Sequence, residues 1–234
     1  MNLRNVKIGV LGGIGPESTS YFYKKLIERF QDVFHPRANS SFPQIIINSI
    51  PAPEIIYSRK ILNKEINAYK KGIIELNLHT PDFIVMACNT IHLFYDELQK
   101  LSKSKILDIR KVIFRKIEKF PNNKIFVLGT ANTIRRNLYS IPEERCLRLA
   151  NADILFIGKL IEDYNLGVAK GLQIAKFNKF LKKIISKKNV VVILACTELS
   201  LLNRVFEENI ISSLDVMVEE VIDNIKRINA KNIS

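Results

Sequence analysis

Short apolar runs alternate along this chain with longer stretches in which apolar residues recur at helical spacing. Runs of this kind, rich in Val, Ile and Leu, are typical of strands buried on both faces. We predict strands at residues 6–11, 44–48, 82–87, 105–107, 124–128, 146–149 and 190–195. We predict helices after Pro16 and at residues 61–78, 92–100, 111–120, 133–138, 168–186, 199–206 and 216–228. The alternation indicates an α/β fold in which mostly parallel strands carry helices on both faces.

Two segments of the chain are repeated. Residues 8–12 are similar to residues 125–129, and residues 85–90 are similar to residues 193–198. The repeats predict two pseudo-symmetric α/β domains, each a mostly parallel sheet flanked by helices, with the active site in the cleft between them. We place the first domain at residues 1–103 plus 212–234, because the C-terminal helix is expected to return to it, and the second at residues 104–211.

The composition is that of a globular protein with a sizeable core, since 47% of the residues are hydrophobic and 25% are charged. Three cysteines are too few for a disulfide framework and fit a reducing cytoplasm. The sequence has no run of 18 apolar residues and no secretory signal pattern at its start, so we expect a cytoplasmic protein without a membrane partner.

The chain is strongly basic, with 36 Lys and Arg residues against 23 Asp and Glu residues and a formal net charge of +13. Such an excess is compatible with nucleic-acid binding. However, the sequence contains neither a basic stripe interleaved with aromatic residues nor a zinc-finger spacing. We therefore expect a lysine-rich solvated surface and no nucleic-acid partner. A positive field can also attract an anionic small substrate.

The most distinctive residues follow four of the predicted strands. These strand ends read Gly12-Gly13-Ile14-Gly15, Cys88-Asn89-Thr90, Gly129-Thr130 and Cys196-Thr197-Glu198. Ligands of open parallel sheets bind at the carboxyl ends of the strands. Cys88 and Cys196 are each expected at a strand-to-helix turn, where backbone N–H groups and the helix dipole favour a thiolate. Two thiols on opposite sides of one carbon can remove a proton from one face and return one to the other, which inverts the centre.

Other interpretations of these residues are open. Cys88, His92 and Cys196 could supply three zinc ligands, but no fourth ligand is evident. The glycines at residues 12–15 lack the Lys-Ser/Thr pair of a phosphate-binding P-loop, and we expect them to permit close approach of the backbone to a ligand. Cys146 has no supporting motif and is assigned to the core.

Together the motifs resemble those of the cofactor-independent aspartate/glutamate racemases. The matching segments span nearly the whole chain in the right order, at residues 11–19, 87–92, 128–133 followed by Tyr139, and 195–199. The resemblance implies a homodimeric racemase that needs no cofactor and acts on a small acidic amino acid, aspartate first and glutamate second. It implies that Cys88 and Cys196 are the two acid/base residues.

The resemblance also implies a set of substrate-binding residues. The positions near the substrate's α-carboxylate and amino group are the backbone at Ile14 and the side chains of Asn89, Thr90, Thr130, Thr133 and Thr197. Where many aspartate racemases carry an arginine for the side-chain carboxylate, this chain has Ile55, and Arg59 is our candidate for that role. A lysine expected before the helix of the second half is missing. Asn165 is a candidate for its place, and Lys170 is the candidate substitute for its charge.

Two alternatives keep the fold and change the function. One is a maleate isomerase, hydantoin racemase or decarboxylase relative that uses a cysteine as a nucleophile. The other is a non-catalytic binding protein. Ser212-Ser213 stands where the family usually has Asp-Thr, and His92 matches a family histidine that we expect to order the helix start rather than act as a base.

Overall fold

The computed structural model describes residues 3–52 and 63–231. Its strands are β1 (Lys7–Gly12), β2 (Gln44–Ser49), β3 (Phe83–Met86), β4 (Lys105–Ile106), β5 (Lys124–Gly129), β6 (Cys146–Leu147), β7 (Val190–Ala195) and β8 (Ile210–Ser212). Its α-helices are α1 (Pro16–Phe34), α2 (Asn63–Asn77), α3 (Tyr95–Leu101), α4 (Ile109–Ile117), α5 (Ala131–Arg135), α6 (Asn151–Asn165), α7 (Lys170–Ile185), α8 (Thr197–Leu202) and α9 (Ser213–Lys231). Two 3₁₀ turns, Asn39–Ser41 and Thr90–Phe94, complete the described elements.

The strands form two four-stranded parallel sheets with the same order. The first sheet runs β2-β1-β3-β4 and the second runs β6-β5-β7-β8. Within each sheet the two central strands are paired in register, Val10 with Val85 and Val127 with Ile193. The predicted fold class of two similar parallel-sheet halves flanked by helices is therefore confirmed.

Three apolar cores hold the halves together. The middle core lies between the sheets and contains residues of both, including Val10, Val85 and Ile193, packed against residues of α1, α4 and α9 such as Leu26, Ile113 and Val221. A second core packs the outer face of the first sheet against α2 and α3, and a third packs the outer face of the second sheet against α6, α7 and α8. Because each fully buried large aliphatic side chain contributes about 1.5–3 kcal/mol, the shared middle core fixes how the two sheets face each other.

The helix α9 returns to the first half of the chain and packs against α1 and α4. Ion pairs reinforce this packing, with Arg29 Nε 2.5 Å from Glu219 Oε1 and Arg115 paired with Glu220. The strand β4 pairs with β3, so the first sheet extends to Ile106, beyond the end proposed at residue 103. The division of the chain into two domains stays a proposal.

Two elements were missing from the sequence-based prediction. The helix α6 buries Ile154, Ile157, Ile161 and Tyr164 at helical spacing, but no side-chain cap marks its start at Ala150. The strand β8 has only three residues, which are too few to show the alternation of apolar and polar positions that predicts a strand. The helix predicted at residues 92–100 is instead a 3₁₀ turn that leads into α3. Within the described ranges, no helix is both long and apolar enough to cross a membrane.

Candidate active site

The carboxyl ends of the central strands of both sheets meet at one cavity of about 290 Å³. In each sheet the chain leaves the two central strands toward opposite edges, which makes the gap between them a switch point where ligands bind. The described lining residues come from all four of these strand ends, from the segment after β2 and from the end of α6. They are Gly13, Ile14, Gly15, Pro16, Ile50, Pro51, Ala52, Cys88, Asn89, Thr90, Thr130, Ile161, Asn165, Leu166, Cys196, Thr197 and Glu198.

The loop after β1 reaches the cavity because of its glycines. Gly13 has a φ of +86°, a conformation that L side chains rarely adopt, and a Cβ atom there would lie 2.1 Å from the carbonyl oxygen of Ile50. Its N–H donates to Thr19 Oγ1 at 2.9 Å. The close approach brings Ile14 and Gly15 to the cavity wall beside residues 50–52. The predicted close approach of these glycines to a ligand stays a prediction.

Cys88 lies just beyond β3, at the start of the 3₁₀ turn. Burial, with a smaller contribution from the negative charge of Glu198, raises the pKa of its thiol to about 12. The backbone N–H groups of Ile91 and Thr90 and the Thr90 hydroxyl act in the opposite sense, because they donate to the sulfur and lower its pKa. The first cysteine is therefore a thiol in the empty cavity, surrounded by donors that would stabilise its thiolate.

Cys196 lies just beyond β7 and is 7% exposed. Its thiol donates to Glu198 Oε2 at 2.8 Å, and the Thr197 hydroxyl donates to the same oxygen at 3.1 Å. Burial raises the pKa of the Cys196 thiol well above its usual value, and the charge and hydrogen bond of Glu198 raise it further. The second cysteine thus carries an acceptor for its proton within contact distance.

Three threonine hydroxyls connect the two halves beneath the cavity. Thr90 Oγ1 lies 3.0 Å from both Thr130 Oγ1 and Thr133 Oγ1. Thr130 also caps α5, since its hydroxyl oxygen accepts from the Thr133 N–H at 3.3 Å. The cluster fixes the turn that carries Cys88 against the turn that follows β5.

A second network holds Asn89. The Tyr139 hydroxyl donates to Asn89 Oδ1 at 2.7 Å, and Asn89 Nδ2 donates to Ser213 Oγ at 2.8 Å. Tyr139 is 2% exposed and Ser213 is 1% exposed. The amide beside Cys88 is therefore oriented by one residue from the second half of the chain and one from α9. Neither was predicted as a site residue, although Tyr139 follows the third motif.

His92 is buried behind the cavity wall and faces backbone groups. Its Nδ1 lies 2.9 Å from the Cys88 carbonyl oxygen and its Nε2 lies 3.4 Å from the Leu107 carbonyl oxygen. Burial lowers the pKa of the ring to about 4, so the neutral ring donates from Nδ1 to Cys88. Both nitrogens face carbonyl oxygens, which argues against the zinc interpretation of His92. Within residues 3–52 and 63–231, no group of three acidic, His or Cys side chains is placed to hold a metal ion.

The structure brings most of the predicted site residues together. Those that line the cavity are Ile14, Cys88, Asn89, Thr90, Thr130, Cys196 and Thr197. Thr133 lies one layer behind them, bonded to Thr90 and Thr130. Lys170 lies outside the lining, where its ammonium is 2.6 and 2.7 Å from the two carboxylate oxygens of Glu17. Arg59 lies outside the described residues.

Glu198 was quoted in the sequence motif without a role, and Asn165 was named only as a possible replacement for a lysine. Both line the cavity. Glu198 is 3% exposed. The signal for Glu198 was its position two residues after a cysteine at a strand end, where a carboxylate can reach back to the thiol.

The fold and site define a class of protein, namely two similar α/β halves that enclose one cavity with a cysteine from each half. The model of the Asp/Glu/Hydantoin racemase family matches residues 11–221. The chain belongs to this family.

Individual relatives agree with this assignment. Broad specificity amino-acid racemase RacX of Bacillus subtilis (strain 168) is 35% identical over 133 residues, which is 56% of this chain and 58% of the relative. The match therefore spans less than two thirds of that protein.

Two solved structures have a similar fold. An aspartate racemase homologue from Pyrococcus horikoshii OT3 has a TM-score of 0.69 at 26% identity, covering 93% of this chain and 97% of the other. Picrophilus torridus aspartate racemase has a TM-score of 0.77 at 20% identity, covering 94% of each chain.

Proposed function

We propose that the protein racemises a small amino acid, with Cys88 and Cys196 as its two acid/base groups and without a cofactor. The observation that carries the proposal is that two cysteines at equivalent strand ends of the two halves line the same cavity. The family match and the relatives, which are named as amino-acid and aspartate racemases, support it.

The chemistry requires one thiolate and one thiol on opposite sides of the substrate Cα atom. The thiolate takes the α-proton and leaves a carbanion whose charge is spread into the α-carboxylate. The opposite thiol then gives its proton to the other face, so the centre is inverted and the two sulfurs have exchanged protonation states. In this proposal the substrate carboxylate lies beside Asn89, Thr90 and Thr130, which line the cavity, and hydrogen bonds to it strengthen as charge develops.

The raised pKa values of both cysteines favour their thiol forms at neutral pH. An amino-acid substrate brings a positively charged α-ammonium into the cavity, which favours a thiolate beside it. The two thiols differ in how a thiolate would be stabilised. Donors around Cys88 stabilise it directly, whereas the carboxylate of Glu198 beside Cys196 favours the thiol form.

The finer predictions from the resemblance stay predictions. An acidic substrate needs a cation for its second carboxylate, but Lys170 is occupied by Glu17 and Arg59 lies outside the described residues. The relative named as a broad-specificity racemase supports a wider range of substrates than aspartate and glutamate. The homodimer, the cytoplasmic location and the absence of a nucleic-acid partner also stay predictions, and light scattering of the purified protein tests the first of them.

Proton exchange with solvent tests the two-thiol mechanism. Each enantiomer of a substrate is incubated in D2O, and α-deuterium and chirality are followed by NMR and chiral chromatography. We expect Cys88→Ala and Cys196→Ala each to lower racemisation by about 10³-fold or more, because each removes one proton carrier. Each variant should retain exchange with one enantiomer, and the retained enantiomer should differ between the two.

The matched control is Cys146→Ala, which removes a thiol of the edge strand β6 outside this cavity and should keep wild-type activity. Racemisation that persists in both active-site variants would disprove the mechanism. A covalent cysteine adduct detected by mass spectrometry during turnover would favour the alternative with a nucleophilic cysteine.

A further inference from the structure

The described side chains that line the cavity can carry negative charge but not positive charge. Among the described lining residues, the ionisable side chains are Cys88, Cys196 and Glu198, and none is Lys, Arg or His. The nearby ammonium of Lys170 is held outside the lining by both oxygens of Glu17. Arg204, close to this region in sequence, donates to the backbone carbonyls of Leu201 and Asn203. The described wall therefore offers negative charge and no compensating cation.

Glu198 is a buried carboxylate that uses one of its two oxygens for two hydrogen bonds. Its Oε2 accepts from Cys196 and Thr197. Within the described part of the chain it forms no ion pair, and its Oε1 faces Gly15, where a Cβ atom would lie 3.0 Å away. A buried carboxylate without a cation is costly, so the site is organised to receive positive charge.

Asn165 supplies a second acceptor beside the first. Its Oδ1 is buried without a hydrogen-bond partner, and it lies at the same 3.0 Å from the Cβ position of Gly15. A buried amide oxygen of this kind loses its hydrogen bonds to water unless a ligand replaces them. Asn165 Oδ1 and Glu198 Oε1, which flank Gly15, are together called the acceptor pair. A charged nitrogen with several N–H donors would satisfy both members.

Another part of the wall is apolar. Ile14, Pro16, Ile50, Ile161 and Leu166 line the cavity with the acceptor pair. Apolar surface favours the aliphatic part of a side chain and disfavours a carboxylate that it cannot hydrogen-bond. This observation is independent of Glu198 and agrees with it.

We infer that the acceptor pair binds a positively charged nitrogen of the substrate and that Glu198 makes the site favour amino acids with uncharged or basic side chains over those with acidic ones. The inference rests on the proposed racemisation. Glu198 touches Cys196, which acts at the Cα atom, so the nitrogen nearest to it is the α-ammonium. A substrate with a side-chain carboxylate adds a second negative charge with no described cation to meet it. A neutral side chain avoids that repulsion, and a basic one reverses it.

Matched substrates separate charge from shape. Asparagine and aspartate, and glutamine and glutamate, differ mainly in charge, and lysine adds a positive charge. We expect kcat/KM for asparagine to exceed that for aspartate by about tenfold or more, with the same order for glutamine over glutamate. N-acetylasparagine, which lacks the α-ammonium, should show no α-deuterium exchange.

Two isosteric variants should shift the ratio of kcat/KM for asparagine to kcat/KM for aspartate in opposite directions. Glu198→Gln removes the negative charge, so the asparagine-to-aspartate ratio should fall several-fold toward one. Asn165→Asp adds a negative charge, so the ratio should rise. A ratio of two substrates on the same variant cancels any common effect on Cys196. The control is Glu28→Gln, which changes an exposed carboxylate of α1 outside the lining and should leave the ratio within about twofold of wild type.

The outcomes separate this inference from the proposed function. Faster turnover of aspartate than asparagine by the wild-type protein would overturn the inference while leaving racemisation in place. Loss of aspartate turnover in Arg59→Ala would then identify the cation. An unchanged ratio in both Glu198→Gln and Asn165→Asp would overturn the role of the acceptor pair. If no amino acid exchanges its α-proton, the proposed function is wrong and the inference falls with it.

Discussion

The two cysteine turns of this protein are equivalent in topology and different in chemistry. Each follows the strand that pairs with the first strand of its sheet, β3 with β1 and β7 with β5. Around Cys88, backbone N–H groups and the Thr90 hydroxyl point to the sulfur, whereas Cys196 donates its own proton to Glu198. A repeated frame can therefore hold two thiols of the same kind with different side-chain hydrogen-bond partners.

The difference continues one turn further along the chain. Four residues after Cys88, the ring of His92 donates to the Cys88 carbonyl, and it is buried where a charge would be costly. The equivalent residue of the second half is Ser200, which accepts a hydrogen bond from Ser212 at 3.0 Å. A titratable side chain thus hydrogen-bonds to the first turn, whereas a serine takes the equivalent position in the second. The difference can be tested by measuring stability as a function of pH.

The largest expected effect is on the loss of stability at acid pH that the buried ring of His92 causes. Its folded pKa of about 4 lies below the usual 6.5, so between these values the unfolded chain binds the proton more readily. The free energy of unfolding should therefore fall as pH drops through this window, by up to about 3 kcal/mol from this residue. His92→Gln should lose that part of the pH dependence, as measured by urea unfolding at several pH values.

Carboxylates also titrate in this range, so the informative quantity is the difference between wild type and variant. The control is His79→Gln, which changes an exposed histidine and should keep the wild-type slope. If His92→Gln keeps the wild-type dependence of the free energy of unfolding on pH, titration of His92 does not contribute to that dependence.

The next effect concerns the asymmetry of the thiols. Glu198 raises the pKa of both cysteines, but of these two only Cys196 donates a hydrogen bond to its carboxylate. Glu198→Gln should therefore lower the pKa of Cys196 more than that of Cys88. We expect iodoacetamide to label Cys196 about tenfold faster in the variant at a fixed pH near 8, with a smaller change at Cys88.

Peptide mass spectrometry reads all three cysteines in one sample. Cys146 lies on the edge strand β6, away from Glu198, and serves as the internal control with an unchanged rate. If Glu198→Gln increases the labelling rates of Cys88 and Cys196 equally, the proposed difference between the two turns is wrong.

A smaller effect is expected from the network that orients Asn89. Tyr139→Phe removes the hydroxyl that donates to Asn89 Oδ1 and leaves a buried acceptor short of one partner. We expect a loss of about 1 kcal/mol in the free energy of unfolding and a several-fold drop in kcat/KM. Tyr164→Phe, whose hydroxyl bonds to Glu17 at the outer side, is the matched control. Equal kinetic losses in the two variants would show that Tyr139 does not act through Asn89.

The smallest effect is expected at the pair of Lys170 and Glu17, which joins the two halves outside the cavity lining. Their side chains are 43% and 39% exposed, so Lys170→Ala should cost less than about 1 kcal/mol of stability and change kcat/KM less than about twofold. Glu17→Ala should behave in the same way. A tenfold loss in Lys170→Ala without a loss in Glu17→Ala would restore the sequence-based role of Lys170 in substrate binding.

Local pattern was enough to predict most of the frame of this protein. Two similar parallel sheets were indicated by the apolar runs and by the repeat of residues 85–90 at 193–198. This works because strands buried on both faces consist mainly of Val, Ile and Leu. The same pattern placed Cys88, Asn89, Thr90, Thr130, Cys196 and Thr197 at strand ends, and these residues do share one cavity.

Tertiary structure decided which groups meet across the halves. Tyr139 reaches Asn89 over 50 residues, and Asn165 meets Gly15 beside Glu198, pairings that no local spacing records. It also decided which charges are available, since Lys170 is engaged by Glu17, 153 residues away. The reason is physical: periodicity reports the burial of each residue within its own element, whereas hydrogen bonds and ion pairs depend on how separate elements pack together.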